Sequence, residues 1–189
     1  MKKRRIFLIV TIVLITILLI VTPAMATATQ TEWTEQNTTC QYYCPAGEVC
    51  DHYGAGGKIM QGRGYMQYNR VFRFDPVALE RHTEWDGWTT SIVNFDLNLV
   101  TGNGSSWGTF VREYDEIEGT FEGTWSGQIR DFHFSGKVVG KGTGELEGQI
   151  VKGWLNNVLN EELPLDLPCT PADVWGAVNY GYILNPQGQ

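Results

Sequence analysis

Between Thr89 and Trp154 apolar and polar residues alternate with a period of two, the spacing of strands that bury one face and wet the other. In Val93-Asn94-Phe95-Asp96-Leu97-Asn98-Leu99 every odd position is apolar and every even one polar. The pattern predicts a turn over Thr101-Gly102-Asn103-Gly104-Ser105-Ser106, a returning strand from Trp107 to Tyr114, and a second turn at Asp115-Glu116-Ile117-Glu118. The run from Thr120 to Ile129 then places Phe121, Gly123, Trp125, Gly127 and Ile129 on one face. After a short turn near Arg130 and Asp131, Phe132, Phe134, Gly136, Val138 and Gly140 share a face, and the alternation resumes with Leu146, Gly148 and Ile150.

Consecutive strands joined by short connections make an antiparallel meander in an all-β domain; only Val151 to Asn160 has the spacing of a helical turn. Glycine inside a strand costs stability, so its recurrence on the inward face points to a tightly curved sheet that closes into a barrel. Phe95, Leu97, Phe121, Trp125, Phe134, Val138, Leu146 and Ile150 are then expected inside, and Asn94, Asp96, Glu122, Thr124, His133 and Lys137 outside.

The longest apolar stretch is not a strand. Met1-Lys2-Lys3-Arg4-Arg5 precedes an apolar run from Ile6 to Val21, Pro23 breaks it, and Ala24-Met25-Ala26 supplies a small-x-small cleavage pattern. This is the design of an export signal, residues 1–26, with cleavage expected after Ala26 and a secreted or extracytoplasmic product. The alternative is an uncleaved anchor over residues 6–22, the single route by which this chain would touch a membrane. Loss of the leader removes four basic residues and no acid, taking the formal charge from −7 to −11. A field of that sign repels phosphate backbones and excludes nucleic acid as a natural partner.

Residues 27–57 divide into a Thr/Gln/Glu-rich stretch, read as a flexible spacer, and a cysteine-rich segment; the barrel domain is expected over 58–189. Cys40, Cys44, Cys50 and Cys169 are the four cysteines, and in an exported chain they point to two disulfides of undetermined pairing. If all pair, one of the first three reaches Cys169. A zinc site with His52 is the competing arrangement, but the cysteine spacing matches none of the common zinc patterns, so no metal is expected.

The runs Gly119-Thr120-Phe121-Glu122-Gly123-Thr124-Trp125-Ser126-Gly127 and Gly140-Lys141-Gly142-Thr143-Gly144-Glu145-Leu146-Glu147-Gly148 come after Trp107-Gly108-Thr109-Phe110 in the chain. Together they resemble a pattern in secreted β-barrel proteins that look like the allene oxide cyclase-type barrels of the calycin class, over roughly Thr89 to Gly153. The resemblance implies a small calycin-like barrel enclosing an apolar ligand; in the cyclases such a cavity steers a reactive lipid with little acid–base chemistry. No catalytic residue of that family maps onto a matching position here.

No catalytic residues stand out otherwise. His133 falls on the polar side of its strand, His82 in a loop and His52 beside Cys50, and no serine sits in a nucleophile elbow. Glu145 and Glu147 are expected on one strand face, as is Glu122 with an acid on a neighbouring strand. Such spacing occurs wherever a sheet has a wet side and does not by itself make the paired acids of glycoside hydrolysis. The turn bearing Glu113, Asp115, Glu116 and Glu118 matches no calcium loop. The candidate ligand contacts are the inward aromatics Phe121, Trp125, Phe132 and Phe134, for a small apolar molecule, and Trp85 with Trp88, whose rings beside acids could stack on a glycan. Asn37-Thr38-Thr39 and Asn103-Gly104-Ser105 match the glycosylation acceptor pattern. The reading is of an exported, non-catalytic barrel that binds a small apolar ligand or acts at a cell surface, with no cofactor. The alternatives are a cyclase- or isomerase-like enzyme on a lipid-derived substrate, which requires a polar group inside the cavity, and a carbohydrate-binding module.

Overall fold

Nine strands succeed one another in the computed structural model, which describes residues 28–75, 77–78, 80–156 and 176–186. They are β1 (Thr29–Tyr43), β2 (Asp51–Tyr53), β3 (Ile59–Phe74), β4 (Gly87–Asn98), β5 (Asn103–Tyr114), β6 (Thr120–Arg130), β7 (His133–Gly142), β8 (Ile150–Asn156) and β9 (Gly176–Asn185). The pairing order is β1-β9-β8-β7-β6-β5-β4-β3-β2, and β1 also pairs with β3. Eight antiparallel strands therefore close a barrel in meander order, and the three-residue β2 lies on the outside edge of β3. Closure leaves the eight staves without a free edge.

The alternation assigns the faces of β4 to β7 as expected. Phe121 and Val138 are buried, Trp125, Phe95, Leu97 and Phe134 are half-buried and turned inward, and Glu122, Thr124, His133 and Lys137 are exposed. Asn94 and Asp96 depart from expectation by being half-buried. The start of β3 shields them: Gly64 N–H donates to Asn94 Oδ1 at 3.0 Å, and Arg63 Nη2 donates to Asp96 Oδ1 at 2.6 Å.

Elsewhere the expectations need correcting. The stretch expected to be a spacer is β1, a barrel stave: Thr29 to Thr38 pair with β9 and Thr34 to Tyr43 with β3. Its threonines suit a pleated strand, and its inward residues Glu35, Asn37 and Thr39 are polar because the interior they face is polar too. The turn expected over Thr101–Ser106 is shorter. Asn98 Oδ1 accepts from Val100 N and Thr101 N, so the chain reverses there and Asn103 already begins β5. Phe132 is not inward. It sits with Asp131 in a two-residue hairpin, φ 65° and 50°, between the paired Arg130 and His133, which ejects its ring to the exterior.

Leu146 is buried, but from a 3-10 turn, Gly144–Leu146, rather than a strand. That turn shifts the register of the next strand, so in β8 Val151 points in and Ile150 is half-buried. Glu145 and Glu147 accordingly sit around the turn. The segment from Val151 with helical spacing is strand as far as Asn156; 157–160 lie outside the described residues. Residues 1–27, which include the expected leader, also lie outside them.

Cys44 and Cys50, six positions apart, form a disulfide across the connection between β1 and β2. No free thiol is present among the described residues, and Cys169 lies outside them. The apolar core gathers at one end of the barrel, where Trp33, Phe110, Tyr114, Phe121, Leu146, Val151 and Ile183 pack together. Gly153 and Gly181, paired across β8 and β9, make this possible: a Cβ on either would come within 3 Å of the Trp33 ring.

Candidate functional site

Beyond that plug the barrel is hollow. A cavity of about 410 Å³ occupies the other end, and its lining divides into two walls. Phe95, Leu97, Trp125, Ile129, Phe134, Val138 and Leu155 supply an apolar one, mostly from β6, β7 and β8. Trp125 and Phe134 meet edge to face, ring centroids 5.5 Å apart. Asn37, Thr39, Gln67, Asn69, Thr89, Ser91 and Asn179 supply a polar one across β9, β1, β3 and β4. Part of this wall is closed on itself: Thr39 Oγ1 and Gln67 Nε2 both donate to Asn69 Oδ1, at 2.8 and 3.0 Å. Asn37 Oδ1 and Asn179 Oδ1 are buried with no hydrogen-bond partner.

The floor between plug and cavity carries the strongest chemistry in the molecule. Glu35 is fully buried, and both its carboxylate oxygens accept from Arg112 Nη1, at 2.6 and 2.7 Å. Arg73 Nη2 donates to Glu35 Oε1 at 2.9 Å and to the Tyr114 hydroxyl at 3.3 Å. Arg112 Nε donates to Thr89 Oγ1 at 3.0 Å, and Arg112 also reaches the cavity lining. Arg73 lies over the Trp85 ring, 4.2 Å from its centroid. Burial by itself would lower the pKa of the Arg112 guanidinium, but Glu35 and then Tyr114 outweigh it and the net direction is up. Burial raises the Tyr114 hydroxyl, against the pull of Arg73 and Arg112. Arg112 is therefore a cation and Tyr114 a neutral phenol.

Tyrosines rim the open end. Tyr42 lines the cavity and stacks on Tyr65 with centroids 4.7 Å apart, and Tyr65 stacks in turn on Phe95. The Tyr65 hydroxyl donates to Asp51, and burial together with that bond pushes its pKa up to about 12.

The aromatic residues singled out by sequence scatter over this frame. Trp125 and Phe134 line the cavity. Phe121 is in the plug, with its ring edge to face against Tyr114. Phe132 is on the exterior of the β6–β7 hairpin. Trp85 packs against the plug, whereas Trp88 is exposed on the outside with Arg70 over its ring, so the two tryptophans share no platform. Asn37 faces the cavity and is unsuited to carry a glycan; Asn103 is exposed. No family model, no curated protein and no solved structure matches the chain.

Sequence reasoning missed Glu35, Arg73 and Arg112. Arg112 had a usable signal: it shares a face with Gly108, Phe110 and Tyr114, so the alternation alone turns a cation inward. Glu35 had none, because its strand was hidden by a polar composition.

Proposed function

We propose that the barrel is an exported, non-catalytic binding protein for a small, largely apolar molecule held in the open half of its interior. The observation that carries this reading is the half-exposed pair Trp125 and Phe134. Apart from their edge-to-face contact and the packing of Trp125 against the plug, these large inward rings present apolar surface to the cavity, surface that an apolar ligand would remove from water. The cavity volume falls in the range of roughly 300–1,000 Å³ typical of small-molecule sites. The Cys44–Cys50 disulfide suits an oxidising compartment, which supports export. The closed meander is also what the resemblance to allene oxide cyclase-type barrels implies.

Tryptophan fluorescence titrated with an apolar probe tests the proposal, with native mass spectrometry of protein purified from its source for the co-purifying molecule. Saturable quenching is expected, and Leu155→Trp, which fills the cavity, should abolish it. A linear, unsaturable response in both proteins would refute cavity binding. A second reading, a cyclase- or isomerase-like enzyme, draws support from the polar wall, because Asn37, Asn69 and Arg112 point into the same space as the apolar rings. Turnover of a lipid-derived epoxide, lost on filling the cavity, would favour that reading over simple binding.

A further inference from the structure

We infer that the ligand is an organic monoanion, a carboxylate on an apolar body, bound head-down with the carboxylate on Arg112 and the body toward Trp125 and Phe134. The inference rests on the cavity-binding reading and adds the chemical class and orientation of the bound molecule.

Two guanidinium groups, Arg73 and Arg112, share one carboxylate, Glu35, and all three are at least nine-tenths buried. Their other side-chain partners, Thr89 and Tyr114, are neutral, and no second acid pairs with either arginine among the described residues. The floor therefore holds a net charge of one positive unit away from water, a costly arrangement unless an anion completes it. Arg73 stands behind, against Trp85 and Tyr114, whereas Arg112 reaches the cavity lining. An anion entering from the open end meets Arg112 first.

Hydrogen-bonding capacity sits at the same place. Asn179 is the register partner of Glu35 across β1 and β9, and Asn37 lies two residues along β1 on the same face. Both line the cavity, and each has a buried carbonyl oxygen without a partner, an incomplete state that an entirely apolar occupant would leave uncorrected. A half-turn of either amide presents Nδ2–H to a carboxylate. With Arg112 Nη1 given to Glu35 and Nε to Thr89, a ligand carboxylate would meet the guanidinium through a charge-assisted bond at Nη2. Above the floor the apolar wall runs from Val138 and Phe110 past Trp125 to Phe95, Leu97 and Ile129, and among the described lining residues Arg112 is the charged one.

The test compares decanoate with decan-1-ol, the same chain with and without the anion, by fluorescence titration of the full-length protein at neutral pH. Decanoate is expected to bind about tenfold or more tightly than the alcohol, and Arg112→Met to bring the two together. Circular dichroism checks that the variant is folded; should it not be, the wild-type comparison decides alone. Equal affinity of wild type for acid and alcohol would overturn the head-group assignment while leaving the cavity reading intact. Failure of both to bind would overturn the two together. A preference for decanoate that survives in folded Arg112→Met would place the carboxylate elsewhere and refute the orientation.

Discussion

The two ends of the barrel are built from the same strands by the same alternation, yet one is solid and the other hollow. Along β6, Phe121 is fully buried in the plug, whereas Trp125 and Ile129, four and eight residues on along the same face, look onto the cavity. Along β5, Tyr114 belongs to the plug, Arg112 to the charged floor and Ser106 to the cavity wall. A period of two decides which face a residue occupies, and nothing more. Whether that face is filled depends on the side chains that arrive from across the barrel. At the closed end Trp33 arrives from β1 over paired glycines of β8 and β9. At the open end β1 and β3 contribute Thr39, Gln67 and Asn69, which bond to one another and stop short of the opposite wall.

The layer between the two ends should be the most sensitive. Glu35→Ala removes the single anion from two buried guanidinium groups and is expected to cost about 3–5 kcal/mol, read as a lowered urea midpoint. A loss below about 1 kcal/mol would mean that the arginines relax into water and that the floor is not a sealed layer. Next in size comes the plug against the cavity. Phe121→Ala should cost about 3–5 kcal/mol as a large-to-small change in a packed core. Trp125→Ala should cost about half as much, since part of the ring contacts only space, while weakening quenching by an apolar probe far more than Phe121→Ala does. Equal costs would erase the distinction between the two ends.

At the rim, the raised pKa of Tyr65 ties the open end to pH. Its hydroxyl is held protonated in the fold, so the stabilisation is present below the ordinary tyrosine range and is lost as pH rises through about 12. Ultraviolet titration should show a late-ionising tyrosine that moves down in Asp51→Asn, because the accepting carboxylate is gone. An unchanged titration would disconnect Tyr65 from Asp51. The smallest effect is expected outside the barrel: Thr124→Ala, next to Trp125 but exposed, should change stability by less than about 0.5 kcal/mol. A larger loss would put Thr124 and its strand face against another part of the molecule.

Much of this frame was legible where apolar and polar residues alternate cleanly. Val93, Phe95 and Leu97, Phe121 to Ile129 and Phe134 to Val138 face as the pattern says, and the inward glycines pointed to a closed barrel. Legibility failed wherever a polar residue faced in or a turn changed the phase. Glu35, Asn37 and Thr39 made β1 resemble a solvated tail, because a strand facing a polar interior carries no amphipathic signal. The 3-10 turn at Gly144–Leu146 advanced β8 by one residue, and a one-residue slip inverts every assignment after it. Phe132 was misplaced by continuing β7 back into its own hairpin. The candidate site suffered most. Its aromatic half was visible as Trp125 and Phe134, but its charged half is assembled from β1, β3 and β5, residues 38 and 77 positions apart in the chain, and no local pattern joins them.

Seven of the eight seams in the barrel join strands that are consecutive in the chain or have only the short β2 between them. The eighth, β1 against β9, sets Thr29 beside Asn185. During synthesis the first stave is therefore among the earliest to emerge and the one that closes it is the last. Until Gly176–Asn185 is made, β8 and β1 each present an unpaired edge, so a chain released early is an aggregation hazard rather than a smaller barrel. The same adjacency brings the ends of the described chain together, so a short linker between them, with new termini cut at the exposed Asp131–Phe132 hairpin, should yield a permuted barrel whose last-made strand is β6.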